Sequence, residues 1–514
     1  MKAEDVIVIL DCGSQYTQLI ARRIREQHVF SEILPWDAPM EEIRSRNPKG
    51  IVISGSPKSV LSQGAPTISD ELFDLGVPIL GICYGMQLLS HLLGGKVAKV
   101  ELAEYGRAKI EVLDLNAAIF RGLPKEFYVW MSHGDTVVEL PPGARVLAKS
   151  ESGLIAAMAF TEKPIFGLQF HPEVAHTEHG IEILRNFLFE VCHCDQTWNL
   201  GDWVEEQVKQ ISQTVGDGKV ISALSGGVDS TVAAVLTQRA VGNRLYCVFV
   251  NTGLLRLDEA ENVLSVYRNE LKLNVRYVDA SEEFLKALKG VTDPEEKRKA
   301  VGRTFIEVFE REAEKVGDAK WLLQGTLYPD VIESGRQGKG ASVIKTHHNV
   351  GGLPEEMKLK LIEPLKDLFK DEVRAIGSIL GIPRSILRRH PFPGPGLSVR
   401  CLGEVTPEKL ELLRRADAVF IEELDVAGYY EKVWQAFCVL LPVRSVGVTG
   451  DERTYGYTVA LRAVESLDGM TADWAYLDRE LLDKVARRIC NEIPGINRVV
   501  LDVTSKPPAT IEWE

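Results

Sequence analysis

The chain has 514 residues, 45% hydrophobic and 26% charged, with a formal net charge of −13. That length suits about three domains, and the acidic balance argues against a protein that grips nucleic acid phosphates. No apolar run approaches the ~18 residues of a membrane span and the polar start Met1–Asp5 is unlike a signal peptide, so a cytoplasmic protein without a membrane partner is expected.

Short β-rich apolar runs alternate with helical patterns from the start. Val6–Leu10, Gly50–Ser54 and Val77–Ile82 read as strands of βαβ units. The third run opens VPILGICYGMQLLSHLLGG (77–95). Its frame Gly81-Ile82-Cys83-Tyr84-Gly85 is the G-x-S-x-G elbow with cysteine in the serine's place. Glycines permit the tight turn, and the helix N-terminus favours a thiolate. Alone, such a cysteine is equally well explained as core packing. Its partners decide the matter: FGLQFHPEVAHTEHG (166–180) reads as a strand ending in His171-Pro172-Glu173. That segment supplies a base and an orienting carboxylate on one side. In ISGSPKSV (53–60) the Gly55 N–H can join the Tyr84 N–H as an oxyanion hole. His176 and His179 are not needed as metal ligands by a catalytic thiolate. Cys192-His193-Cys194 lacks the second pair that zinc would need and reads as helix-end or interdomain packing. The other cysteines are scattered, which suits reduced thiols.

These pieces, spread over residues 5–195, resemble the class I glutamine amidotransferase domain. The resemblance implies that Cys83 attacks the side-chain amide of glutamine, His171 shuttles the proton and Glu173 orients His171. It also places Gln87 and, in MSHGD, Ser132, His133 and Asp135 near the glutamine.

Beyond a polar linker at Asp195–Asp202, a second α/β rhythm carries expected strands at Val220–Leu224, Leu245–Asn251, Asn274–Asp279 and Lys320–Gly325. The first leads into SGGVDS, residues 225–230, a glycine-rich turn between strand and helix that can cradle phosphate. The lysine of the G-x-x-x-x-G-K-[ST] loop is missing. The stretch resembles the loop of the ATP pyrophosphatases, which cleave ATP between its α and β phosphates. A loop lysine serves β/γ chemistry; here the whole pyrophosphate leaves. The N–H groups of Gly226, Gly227, Val228 and Asp229, with the hydroxyls of Ser225 and Ser230 and the adjoining Thr231, would hold it. Asp229 is the expected magnesium ligand, Asp330 and Glu333 weaker candidates. A long glycine-rich stretch at 325–354 reads as a lid whose cations, Arg336 and Lys345 among them, can close over triphosphate.

The loop RRHPFPGPGLSVR (388–400) marks a boundary. After it come helical patterns at 406–424 and 470–489 and extended runs at 440–449, 455–464 and 497–503. The fold class is therefore α/β: two doubly wound, mostly parallel-sheet domains at 1–195 and 196–390, then a small α+β domain at 391–514. The amidotransferase elbow, SGGVDS, IKTHHNVGGLP, HPFPGPGL and SKPPATIEWE together resemble the GMP synthetase family nearly end to end. The family's acceptor is xanthosine monophosphate (XMP), and Arg303, Asp468, Lys506 and Glu512 fall where it contacts that nucleotide. The resemblance implies use of glutamine, ATP, Mg2+ and XMP, and a homodimer through the C-terminal domain, where 433–448 is apolar enough for an interface. The main alternative keeps the ATP chemistry but takes deamido-NAD as acceptor; the C-terminal motifs oppose it. A tRNA acceptor conflicts with the acidic chain. A dead amidotransferase acting as a regulator would lack its nucleophile or base, and both are present.

Overall fold

The computed structural model describes residues 5–337, 359–449, 452–466 and 471–514. They form two compact units, Met1–Trp203 and Val204–Glu514.

The first unit is built on nine strands: β1 (Val6–Asp11), β2 (Phe30–Pro35), β3 (Gly50–Ile53), β4 (Ile79–Ile82), β5 (Lys96–Val112), β6 (Glu126–Glu139), β7 (Ala144–Ser150), β8 (Ile155–Phe160) and β9 (Ile165–Leu168). Their order is β2-β1-β3-β4-β9-β8-β7-β5-β6. The half from β2 to β9 is parallel. Its strands are near-continuous apolar runs because helices cover both faces; β1, β3 and β4 are buried throughout. The half from β9 to β6 is antiparallel. It occupies 96–160, where the sequence reading placed no strand. There β6 alternates exposed and buried positions, as an antiparallel strand with one wet face does.

The second unit carries a five-stranded parallel sheet of β10 (Lys219–Leu224), β11 (Leu245–Asn251), β12 (Val275–Asp279), β13 (Ala319–Leu323) and β14 (Lys360–Ile362). Its order, β12-β11-β10-β13-β14, reverses direction between β10 and β13. Ligands of doubly wound sheets bind outside the carboxyl ends of strands at such a switch point. SGGVDS leaves β10 there.

A second sheet pairs the long antiparallel strands β15 (Gln435–Thr449) and β16 (Glu452–Glu465), with β17 (Asp473–Trp474) antiparallel and β18 (Ile496–Leu501) parallel to β16. Helix Pro407–Val426 starts with proline in its first turn, and the Thr406 hydroxyl accepts the Lys409 N–H. The last helix starts at Arg479, later than the helical pattern suggested, because 473–474 pair with β16 and Asp478 takes the N-cap. One core runs through this unit, joining Ile221, Phe284 and Phe309 to Leu397, Phe420 and Val485.

The loop 388–400 is packed into that unit. Gly396 has φ 61°, and a Cβ there would lie 2.5 Å from the Leu254 carbonyl oxygen, so only glycine fits. His390 Nε2 donates to the Tyr430 carbonyl at 2.8 Å and Nδ1 accepts the Ala436 N–H at 3.2 Å. Burial pulls its pKa down to about 4, which keeps the ring neutral and both bonds in place at neutral pH.

Candidate active site

Strand β4 ends at Cys83, whose φ of 54° and ψ of −105° place it outside the ordinary regions as N-cap of helix Tyr84–Leu92. The flanking glycines are required by contact: a Cβ on Gly85 would lie 2.3 Å from the Ile53 carbonyl oxygen, and one on Gly81 2.5 Å from the Gly85 carbonyl carbon. The Cys83 N–H is held by the Leu168 carbonyl at 2.7 Å. Strain at such a residue persists when the surroundings over-determine it, and here the neighbouring strands β3 and β9 do.

The chain just past β9 brings His171 to the same place. His171 Nδ1 and Glu173 Oε1 are 2.7 Å apart, and both side chains are buried. Burial alone would push the His171 pKa down; the Glu173 charge and the hydrogen bond with Cys83 outweigh it and hold it well above the usual value. Tyr16 meets the imidazole edge-on at 5.0 Å, and the His171 carbonyl accepts the Thr177 hydroxyl at 2.6 Å. Cys83 Sγ donates to the Ser132 carbonyl at 3.7 Å. A Cβ on Gly55 would sit 3.4 Å from His171 Cε1, so the Gly55 backbone lies against the site. His176 and His179 pack instead on Trp130 and Phe127. Cys192 and Cys194 are buried beside a helix end.

Of the residues implied near glutamine, Gln87 Nε2 donates to the Asp135 carbonyl at 2.7 Å, and His133 Nδ1 reaches the same oxygen at 3.0 Å. Two buried residues were not anticipated. Glu104 on β5 lies across from His133, 3.3 Å from its Nε2; burial works against its ionised form, but the neighbouring His133, Ser150 and Ser152 hold its pKa below the usual value. Gln169 approaches the Cys83 sulfur. The period-2 alternation Gln169, His171, Glu173 is a signal that could have shown it.

In the second unit Gly226 takes φ 80° after β10, and helix Val228–Val241 follows. Ser225 and Ser230 hydroxyls are 3.0 Å apart, the Gly227 N–H donates to Ser225 Oγ at 3.3 Å, and Thr231 Oγ1 donates to the Gly227 carbonyl at 2.7 Å. Gly325 backs onto this turn: a Cβ there would lie 3.2 Å from the Ser230 nitrogen. Two cations from distant sequence stand at the loop. Lys370 Nζ is 3.3 Å from Asp229 Oδ2, and Arg389 donates to the Gly226 carbonyl while pairing with Glu259. Asp229 Oδ1 is buried and accepts no hydrogen bond among the described residues. Asp330 Oδ2 accepts the Leu327 N–H at 3.0 Å, at the start of helix Tyr328–Gln337. That helix reaches into the stretch read as a lid; the Glu333 and Arg336 side chains, Lys345 and the rest of 338–358 lie outside the described residues.

The four residues that the resemblance assigns to the nucleotide fall in different surroundings. Arg303 is exposed on helix Pro294–Glu314. Lys506 bridges to Ala472 through both backbone groups. Glu512 is gripped at both oxygens by the buried Arg400, at 3.0 and 2.8 Å, and by Gln435 at 2.9 Å. Asp468 lies outside the described residues. Glu512 borders a cavity of about 530 Å³ that Asp502, Thr504 and Trp513 also line.

The first unit thus carries a buried thiol–imidazole–carboxylate site, and the second a phosphate-type loop at a sheet's switch point. Residues 8–191 match the family model for glutamine amidotransferase class-I, residues 199–302 that for NAD synthase, and residues 422–513 that for the GMP synthase C terminal domain. Glutamine-hydrolysing GMP synthases from Aquifex aeolicus and Caldanaerobacter subterraneus are 61% and 56% identical to the chain, each over 99% of both sequences. The chain belongs to the glutamine-hydrolysing GMP synthase family.

Proposed function

We propose that this enzyme makes GMP from XMP, ATP and glutamine. The carrying observation is that one chain of this family holds both the Cys83–His171–Glu173 site and the Ser225–Ser230 loop. In this reading Cys83 attacks the glutamine side-chain amide, the oxyanion is held by the Gly55 and Tyr84 N–H groups, and His171 passes the thiol proton to the departing ammonia. Water then releases glutamate from the thioester. Gln87, Ser132, His133 and Asp135 shape the glutamine pocket.

In the second unit the 2-oxo oxygen of XMP attacks the α-phosphate of ATP, and pyrophosphate departs into the Ser225–Thr231 loop. Ammonia then attacks C2 and AMP leaves. An amide-like oxygen is a poor leaving group, which adenylation corrects. Asp229 Oδ1, which accepts no hydrogen bond among the described residues, suits a hard cation that takes oxygen ligands. Magnesium held there would neutralise charge on the pyrophosphate. Arg303, Asp468, Lys506 and Glu512 are assigned to XMP, and Arg336 and Lys345 to closing over ATP. The functional divisions are 1–195, 196–390 and 391–514, the last pairing two subunits. The family and the lack, among the described residues, of a helix long and apolar enough to cross a membrane support a cytoplasmic enzyme.

The test supplies XMP and ATP with either amide-15N glutamine or 15N ammonium. Both should yield 15N-labelled GMP with AMP and pyrophosphate. The Cys83→Ala variant should lose only the glutamine-driven reaction. ADP and phosphate as products, or loss of both reactions in that variant, would overturn the reading.

A further inference from the structure

Besides His171 and the Ser132 carbonyl, one more side chain reaches the Cys83 sulfur. Gln169 is fully buried, and its Nε2 lies 3.8 Å from Cys83 Sγ. Whether a glutamine end is donor or acceptor must be decided from its hydrogen-bond network. Here the network starts at a group that cannot be reversed, since the Asp135 backbone carbonyl only accepts. Gln87 must present its NH2 to that oxygen, at 2.7 Å. The second hydrogen of the same nitrogen faces Gln169 Oε1 at 3.3 Å. Gln169 therefore turns its oxygen toward Gln87 and its NH2 toward the sulfur. Reversing either amide would set two donors or two acceptors against each other in a buried place, at the cost of an unmade hydrogen bond.

We propose that Gln169 donates a hydrogen bond to the thiolate of Cys83, and that Gln87 is a positioning residue that fixes the direction of the donor. A bond to an ionised acceptor is stronger than one to a neutral acceptor, so this donor favours thiolate over thiol. Titratable groups and a backbone carbonyl also surround the sulfur. His171 faces it from the segment after β9, with Glu173 behind. From β6 the Ser132 carbonyl meets it, and the His133–Glu104 pair lies one residue further on. Tyr84 follows it on the helix, and Tyr16 packs against His171. Gln169 differs from the titratable groups among these in having no ionisable form, so its contribution is not lost by its own titration.

The inference rests on Cys83 being the nucleophile of glutamine hydrolysis, but its test needs no glutamine. Alkylation of Cys83 by iodoacetamide in the full chain, followed by mass spectrometry across the neutral pH range, reads the thiolate directly. Gln169→Met keeps the shape and removes the donor. Its alkylation profile should move to higher pH by about one unit, a tenfold loss of rate below the inflection, and its kcat for glutamine should fall. Gln87→Met should shift the profile the same way by less, and the double variant should match Gln169→Met alone. A residue that merely filled space would leave the inflection in place. An unmoved inflection in folded Gln169→Met overturns the proposal. Should that variant not fold, an unmoved inflection in Gln87→Met does so. Shifted alkylation without glutamine hydrolysis in the unaltered chain would overturn the glutaminase reading and leave the donor role standing.

Discussion

Glu173 decides how far His171 stays protonated as pH rises. Burial opposes the imidazolium, and the carboxylate 2.7 Å away overrides it. In Glu173→Gln the charge is gone and the burial remains, so the proton leaves at lower pH. The alkaline limb of glutamine hydrolysis should move toward acid by at least about one pH unit, and an unmoved limb in the pH–rate profile would contradict this. Stability follows the same sign. A raised folded-state pKa contributes stability below the unfolded histidine value of about 6.5 and loses it as pH rises through the folded value. The variant should therefore lose most stability in acid. At the other site, Asp229→Asn keeps the shape of the side chain but removes the charge of the carboxylate, whose Oδ1 accepts no hydrogen bond among the described residues. ATP–pyrophosphate exchange should fall at least about a hundredfold, on the order of removing one preorganised charge contact, with the thermal midpoint little changed. Retained exchange would take Asp229 out of the ATP site.

At the scale of elements, the elbow between β4 and helix Tyr84–Leu92 works only because β3 runs directly behind it. Gly85→Ala would force a Cβ to within 2.3 Å of the Ile53 carbonyl oxygen, which must push β3 and the helix apart. A cost of about 3 kcal/mol in thermal unfolding is expected, with loss of Cys83 alkylation. Gly64→Ala makes the control: it has φ +71° with nothing within 4 Å, so only backbone strain of about 1 kcal/mol applies. A small effect at Gly85 would mean the elbow is looser than its contacts. The geometry of this element was legible in the sequence because Cys83, its glycines and the strand before it are contiguous. The same holds for His171 with Glu173, and for β10 with its loop. The antiparallel strands β5 to β8 were not, since half-exposed alternation is weaker than a buried apolar run. Lys370 and Arg389 also escaped, because each reaches the loop from well over a hundred residues away and neither belongs to a local pattern. Gln169 sat in plain view but has no charge to draw notice.

At the scale of the whole chain, the end is tied into the body of the second unit. The tie is electrostatic, which the sequence did not disclose. Lys297 is fully buried and donates to the Ser398 and Cys401 carbonyls at 3.2 and 2.9 Å and to the Glu514 side chain, while Arg298 holds the Glu514 backbone oxygen. Arg462, equally buried, reaches the Thr504 and Thr510 carbonyls and pairs with Asp502. Removing one partner of a buried pair costs about 3–5 kcal/mol, because the other charge stays behind, whereas replacing both by apolar groups is often close to neutral. Deleting Trp513–Glu514 should therefore destabilise the Val204–Glu514 unit by about that amount and leave Cys83 alkylation unchanged. In a Lys297→Met background the same deletion should cost much less, since no ammonium is stranded. Hydrogen exchange of helix Pro294–Glu314 measures both, and equal costs in the two backgrounds would mean that packing of Trp513, not the Lys297–Glu514 pair, holds the tail.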